Sequence, residues 1–140
     1  MSNEQENPLL LEWATLQKQF DDFEKLSLLI KLTAIVLTSM LVFDVSHPHI
    51  VPFLLSICWL QDAIWKTVQS RFSERLLVIE NELAKPQLNA TIQFNTAWES
   101  KPRSVFSLLS EYLRHLIKPT VIFPHAALLC VALYFVLLIE

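Results

Sequence analysis

Three residues able to do chemistry stand in stretches otherwise too apolar to hold them. Lys31 interrupts LSLLIKLTAIVLTSMLVF at 26–43, and Asp62 interrupts IVPFLLSICWLQDAIW at 50–65. His125 lies in TVIFPHAALLCVALYFVLLI at 120–139. A charge in hydrocarbon is costly and is normally paired, so each of these residues asks for a partner. Lysine and aspartate can neutralise one another as an ion pair that locks two helices in register. With a histidine beside them, they can also form a polar step in a conducting path. Lys31 could alternatively extend its side chain to the membrane surface. No nucleophile, base and orienting group fall into a recognisable set. The expectation is therefore a protein that is not an enzyme and takes no cofactor.

A second group, Asp44, His47 and His49, lies in the short segment DVSHPH. Three such side chains can bind a metal, but no four-ligand spacing is present. A solvated turn broken by Pro48 accounts for them, and no metal is expected. Cys58 and Cys130 both sit in apolar runs and are expected as buried, unbridged thiols. The chain contains no glycine. That excludes phosphate-cradling loops, the dinucleotide fingerprint and the nucleophile elbow, which all need it. The net charge is −3, with no basic stripe carrying interleaved aromatics, so no nucleic-acid partner is expected.

The elements that must position Lys31 and Asp62 can be read from periodicity. Before the first apolar run, apolar residues recur at Leu9, Trp13, Leu16, Phe20 and Phe23, in steps of four and three. That is a coiled-coil seam. After the second run they recur at Val68, Phe72, Leu76, Ile79 and Leu83. Antiparallel helices joined by a tight turn bring together residues whose numbers share a constant sum. Leu9 with Leu83, Trp13 with Ile79, Leu16 with Leu76 and Phe20 with Phe72 each sum to 92, and Phe23 with Val68 to 91. Lys31 with Asp62 sums to 93, which places the two charges at one depth. The turn centre falls at residue 46, inside DVSHPH. The spacing predicts helices over 8–43 and 49–85, each about 54 Å long at ~1.5 Å per residue. A hydrocarbon core is ~30 Å thick, so a stalk of about 20 Å should stand clear of it. Glu12, Lys18, Asp21, Asp22 and Lys25 are expected on its outer face.

Residues 86–103 show no periodicity and read as a loop, with Ile92, Phe94 and Trp98 folded back on the stalk. Ser104 can cap a helix over 104–118. Its apolar face holds Val105, Leu108, Leu109, Tyr112, Leu113, Leu116 and Ile117, with Ser107, Ser110, Glu111, Arg114 and His115 on or near the other side. This is an amphipathic helix suited to a membrane interface or to packing on the stalk. Residues 119–139 then form a third apolar helix, kinked at Pro124. The first fifteen residues are acidic and polar, so no cleavable signal is expected. All eleven Lys and Arg lie before residue 32 or between 66 and 118. The positive-inside rule then puts the N-terminus and 66–118 in the cytoplasm and the 44–49 turn outside. The expected fold is an all-α membrane protein of one domain. It comprises a long antiparallel hairpin of two transmembrane helices with a cytoplasmic coiled-coil stalk, an interfacial helix and a third span.

The run Trp59-Leu60-Gln61-Asp62-Ala63, followed by Trp65 and Phe72, resembles a motif in a family of small bacterial inner-membrane proteins. In that family a Trp-Leu-x-Asp-Ala/Gly-aromatic run ends the second span, a charged helix follows, and a third span lies near the C-terminus. Gln69-Ser70 stand here where the family usually has Glu-Arg. The resemblance implies a multi-pass protein of the bacterial inner membrane. It also implies a link to antiphage systems, whose similar two-span modules include membrane-perturbing effectors. The functional expectation is a protein that acts in the lipid bilayer by forming a homo-oligomer or docking a protein partner. The alternative is an accessory or immunity subunit that stabilises a larger membrane complex.

Overall fold

The computed structural model describes residues 8–41, 48–84, 96 and 104–139. The segment 42–47, with Asp44 and His47, and the loop residues Ile92, Phe94 and Trp98 lie outside these. The described residues form four helices and no strand. They are α1 (Pro8–Met40), α2 (Ile50–Leu83), α3 (Val105–Leu116) and α4 (Pro119–Ile139). Each limit has a local cause. Pro8 opens α1 where a missing N–H costs nothing. Ser104 has an extended backbone, and its hydroxyl accepts from the Phe106 N–H at 3.3 Å, capping α3. The α3–α4 junction turns within two residues. There the Lys118 carbonyl accepts from the N–H groups of Val121 (2.9 Å) and Ile122 (2.8 Å), and Pro119 starts the new helix.

α1 and α2 run antiparallel, with 33 and 34 residues, and pack along their whole length. The start of α1 meets the end of α2 in a cluster of Leu9, Leu16, Leu76 and Ile79, flanked by Trp13, Phe20, Phe72 and Leu83. Phe23 stacks its ring on Trp65 and Phe72, at centroid distances of 5.0 and 5.2 Å, while Val68 is half-buried. At the opposite end Ala34, Leu41 and Leu55 form a second cluster with Ala132 of α4. Thus α4 lies against the half of the α1–α2 pair nearest their turn, and α3 packs across α2.

α4 is long and apolar enough to cross a membrane, and only 17% of its most apolar stretch is buried. A core helix of a soluble protein would be mostly covered. α1 and α2 fall short by the same test. α1 ends at Met40, before its apolar run is complete, so a spanning length must include Glu24, Lys25 and Lys31. In α2, Gln61, Asp62 and Lys66 shorten the run. Cys130 also departs from expectation. It is exposed, and Cys58 is half-buried, because α4 has neighbours on only one side.

Candidate functional site

Between the two apolar clusters lies a layer of polar side chains drawn from three helices. Ser27 and Lys31 are one turn apart on α1 and therefore share a face. Asp62 projects from α2 and His125 from α4, one residue after the helix-interior Pro124. The Lys31 ammonium donates to Ser27 Oγ at 2.7 Å and lies 3.3 Å from Asp62 Oδ2. Ser27 in turn donates to Asp62 Oδ1 at 2.5 Å. His125 Nε2 stands 3.2 Å from Asp62 Oδ2, and a proton on that nitrogen makes it a third donor. Asp62, Ser27 and His125 are buried, and only Lys31 keeps a partly exposed edge. His125 Nδ1 is buried with no partner among the described residues. The structure thus brings Lys31, Asp62 and His125 together.

Chemically, this is a carboxylate saturated by donors. The Ser27 hydroxyl is committed at both ends, accepting from Lys31 and donating to Asp62. Three helices are tied at one level, and loss of any donor leaves a buried charge less satisfied. Ser27 was not singled out from sequence. Its signal is there, four residues before Lys31 and close to the antiparallel sum with Asp62.

One turn nearer the chain's start, a second polar group joins the same helices. Lys66 Nζ meets Glu24 Oε2 at 2.6 Å and Gln69 Oε1 at 2.9 Å. The Gln69 amide donates to Glu24 Oε2 at 2.7 Å and to the Phe20 carbonyl at 3.2 Å. The Lys66 hydrogen bond, then that from Gln69, holds the Glu24 carboxyl below its ordinary range. Further out, Arg75 clasps Glu12 with two bonds of 2.9 and 3.0 Å, and Trp13 Nε1 donates to Glu80 at 3.0 Å. Glu12 was expected on the outer face. Its side chain is only 7% exposed, because the planar Arg75 fork draws it inward.

α3 divides its residues differently from the expected face. Leu108, Tyr112 and Leu116 are partly covered, whereas Val105, Leu109, Leu113 and Ile117 of the same face are exposed; Arg114, expected near the other side, is exposed too. His115, expected towards the polar side, is buried, with Nδ1 bonded to the Glu111 carbonyl at 2.8 Å. Burial pushes its pKa down. Trp59 of α2 pins the end of α3 through its indole N–H, which donates to the Leu116 carbonyl at 3.1 Å. Phe106, Leu109, Leu113 and Ile117 recur every three or four residues and all face outward, Phe106 at 83% exposure. Among the described residues no group of His, Cys, Asp and Glu could hold a metal. No protein-family model, curated protein or solved structure matches the chain. The likeness around Trp59–Phe72 therefore stands on those residues alone.

Proposed function

We propose that this chain is a non-enzymatic, multi-pass protein of the bacterial inner membrane, with three spans and a coiled-coil stalk in the cytoplasm. Its N-terminus is cytoplasmic, and it acts by association, as a homo-oligomer or by docking a protein partner. The observation that carries this reading is the bare apolar surface of α4 beside its one covered side. The same level of α1 and α2 exposes Leu28, Leu29, Leu32, Ile35, Val36, Met40, Phe53, Ile57 and Leu60. Lys31 and Asp62 argue against spans only as isolated charges, and here each is the other's partner at 3.3 Å. Hydroxyls in these stretches are also satisfied inside their own helices. Thr33, Ser39 and Ser56 donate to the carbonyls of Leu29, Ile35 and Pro52, each at 2.9 Å. A membrane demands that economy. The basic residues favour an inside placement for the stalk.

Labelling of introduced cysteines tests the topology. A cysteine at Ser46 should react with an impermeant reagent in intact cells, and one at Ser100 should not. Reaction at Ser100 would remove the three-span reading. The resemblance adds a specific activity, membrane perturbation in defence. Overexpression should then depolarise cells carrying a potential-sensitive dye. Unchanged potential, with co-purification of a larger membrane complex, would assign the accessory or immunity role instead.

A further inference from the structure

The Asp62 carboxylate is addressed by more potential cations than it can balance. Its Oδ1 belongs to Ser27, whose hydroxyl donates at 2.5 Å. Its Oδ2 is approached twice, by the Lys31 ammonium of α1 at 3.3 Å and by His125 Nε2 of α4 at 3.2 Å. The lysine supplies a counter-charge as it stands, whereas an imidazole supplies one only after taking a second proton. A buried carboxylate balances one cation, and another beside it is an uncompensated charge in low dielectric. Lys31 and a protonated His125 are therefore competitors for Oδ2.

Two observations equip the layer for exchange. Lys31 is the member with an outlet. Its partly exposed side chain lines a groove of about 370 Å³ along α1, where Asp21 and Glu24 also stand. An ammonium that lets go of Asp62 thus moves towards carboxylates and water, as a long flexible stem allows. His125 is the member with spare capacity. Its Nε2 proton is committed to Asp62, while Nδ1 has no partner among the described residues. A proton on Nδ1 makes the ring a cation and leaves the Nε2 contact in place. Pro124 has no N–H to give the Thr120 carbonyl, so the preceding turn holds an acceptor for a second ring N–H.

The surrounding charges leave this competition to the three residues. From α2 the ring meets Asp62, and Lys66 one turn along is bound to Glu24 and Gln69. From α1 it meets Lys31 and Ser27 through that carboxylate. From α3, none of Glu111, Tyr112, Arg114 and His115 bonds to it among the described residues.

We propose that His125 is a proton-binding site, at which a second ring proton displaces Lys31 from Asp62 and passes the ion pair from α1–α2 to α2–α4. The proton comes from water, and only an N–H bond forms. This goes beyond the association reading and does not depend on it, because protein covers Ser27, Asp62 and His125 with or without a bilayer. With the ring neutral, Asp62 ties α2 to α1. With the ring charged, Asp62 holds α4 instead, and Lys31 turns into the groove beside Glu24. Proton uptake is thereby converted into a change in which helix α2 grips.

The test is thermal unfolding of the full chain in mild detergent at pH 8 and pH 5, for wild type, Lys31→Met, His125→Gln and the double variant. Lys31→Met leaves Asp62 without a cation at pH 8, and a charged His125 replaces it at pH 5. The gap in unfolding temperature between wild type and Lys31→Met should therefore narrow by about 4 °C as the pH falls, the size of a roughly tenfold change in the folding constant. In the His125→Gln background the same gap should not change. A gap that never narrows overturns the proposal. So does one that narrows equally without His125, which would put the proton on Asp62 itself. Nitrogen NMR of the wild-type chain, with His125 assigned through His125→Gln, keeps the test open if Lys31→Met does not fold. As the His125 ring takes its second proton, the Lys31 ammonium signal should shift with the same midpoint. A Lys31 signal that stays unchanged, or a ring that remains neutral until the protein unfolds, overturns the exchange.

Discussion

The α1–α2 pair closes in two different ways along its length. Its terminal half is sealed by large side chains, Leu9, Leu16, Leu76 and Ile79, with Trp13, Phe20 and Phe72 at the margin. Its turn half, where α4 joins, mixes the buried Leu41 and Leu55 with small residues, Ala34, Ala63 and Ala132, all fully buried. Polar contacts tie that half together around Asp62. On the three-span reading the first half stands in water, which accounts for its style, since burying a leucine or isoleucine contributes about 1.5–3 kcal/mol. Lipid tails are as apolar as leucine, so helices there gain from close approach and interhelical hydrogen bonds. The change of style occurs at the level of Glu24, Ser27, Lys66 and Gln69. On the three-span reading, this is where the stalk enters the membrane.

The largest expected effect is at Asp62. Asp62→Leu strands Lys31 and leaves Ser27 and His125 without their shared acceptor, at a cost of roughly 3–5 kcal/mol. Combining it with Lys31→Met should be milder, because the isolated ammonium goes as well. Thermal unfolding of the four members of this cycle in detergent gives the coupling. Additive losses would mean that the two side chains do not depend on each other. If the pair belongs to a conducting path, the double variant should be stable but silent in the depolarisation assay.

Substitutions of size should then separate the two halves. Ile79→Ala opens a cavity in the terminal cluster and should cost about 2–5 kcal/mol. Ala34→Leu or Ala132→Leu adds volume where helices touch, and should cost about 1–3 kcal/mol and loosen α4. Release of α4 would show as faster proteolysis near the α3–α4 junction. If Ala132→Leu is stabilising, the small-residue contact is not what holds that half.

Much of this arrangement was legible in residue spacing. Steps of three and four, with a nearly constant residue sum, placed Leu16 near Leu76 and Lys31 near Asp62. Prolines and Ser104 punctuate the helix limits. Other positions were illegible for a common reason. Helical periodicity assigns a face by hydrophobicity, and a polar residue with a matched partner defeats that assignment. Glu12 turns inward because Arg75 reaches it from another helix, and His115 because the Glu111 carbonyl one turn earlier satisfies Nδ1. Ser27 was overlooked because a hydroxyl among leucines usually bonds within its own helix, as Thr33 does. Leu109, Leu113 and Ile117 of α3 were read on its apolar face, but an amphipathic pattern does not say what covers them, and they face outward.

His115 gives a smaller effect with a definite sign. Its folded pKa lies below the ordinary histidine value of 6.5, because burial penalises the charged ring. The unfolded chain therefore binds a proton first as the pH falls. Stability attributable to this residue is complete above pH 6.5 and is lost as the pH drops through the folded pKa. Wild type should lose more stability than His115→Phe between pH 7 and 5. The reverse order would mean that the ring is charged in the folded protein.

The smallest expected effect is at Glu24, where the change of style occurs. Its carboxyl is held below the ordinary value of 4.5, first by the Lys66 hydrogen bond and then by Gln69. The unfolded chain again takes up the proton first, so the contribution is complete above pH 4.5 and is lost as the pH falls through the folded value. Because the Glu24 side chain is 58% exposed, solvent screens the pair and its worth is small, about 0.5 kcal/mol. Glu24→Gln should therefore lower the unfolding temperature slightly at pH 7, and the difference from wild type should shrink as the pH falls below 4.5. Salt discriminates further. A pair at the water side of the boundary should weaken between low and high ionic strength, whereas the Asp62 cluster one turn deeper should not respond. If both respond to salt alike, the boundary between the two packing styles is not a boundary between water and lipid.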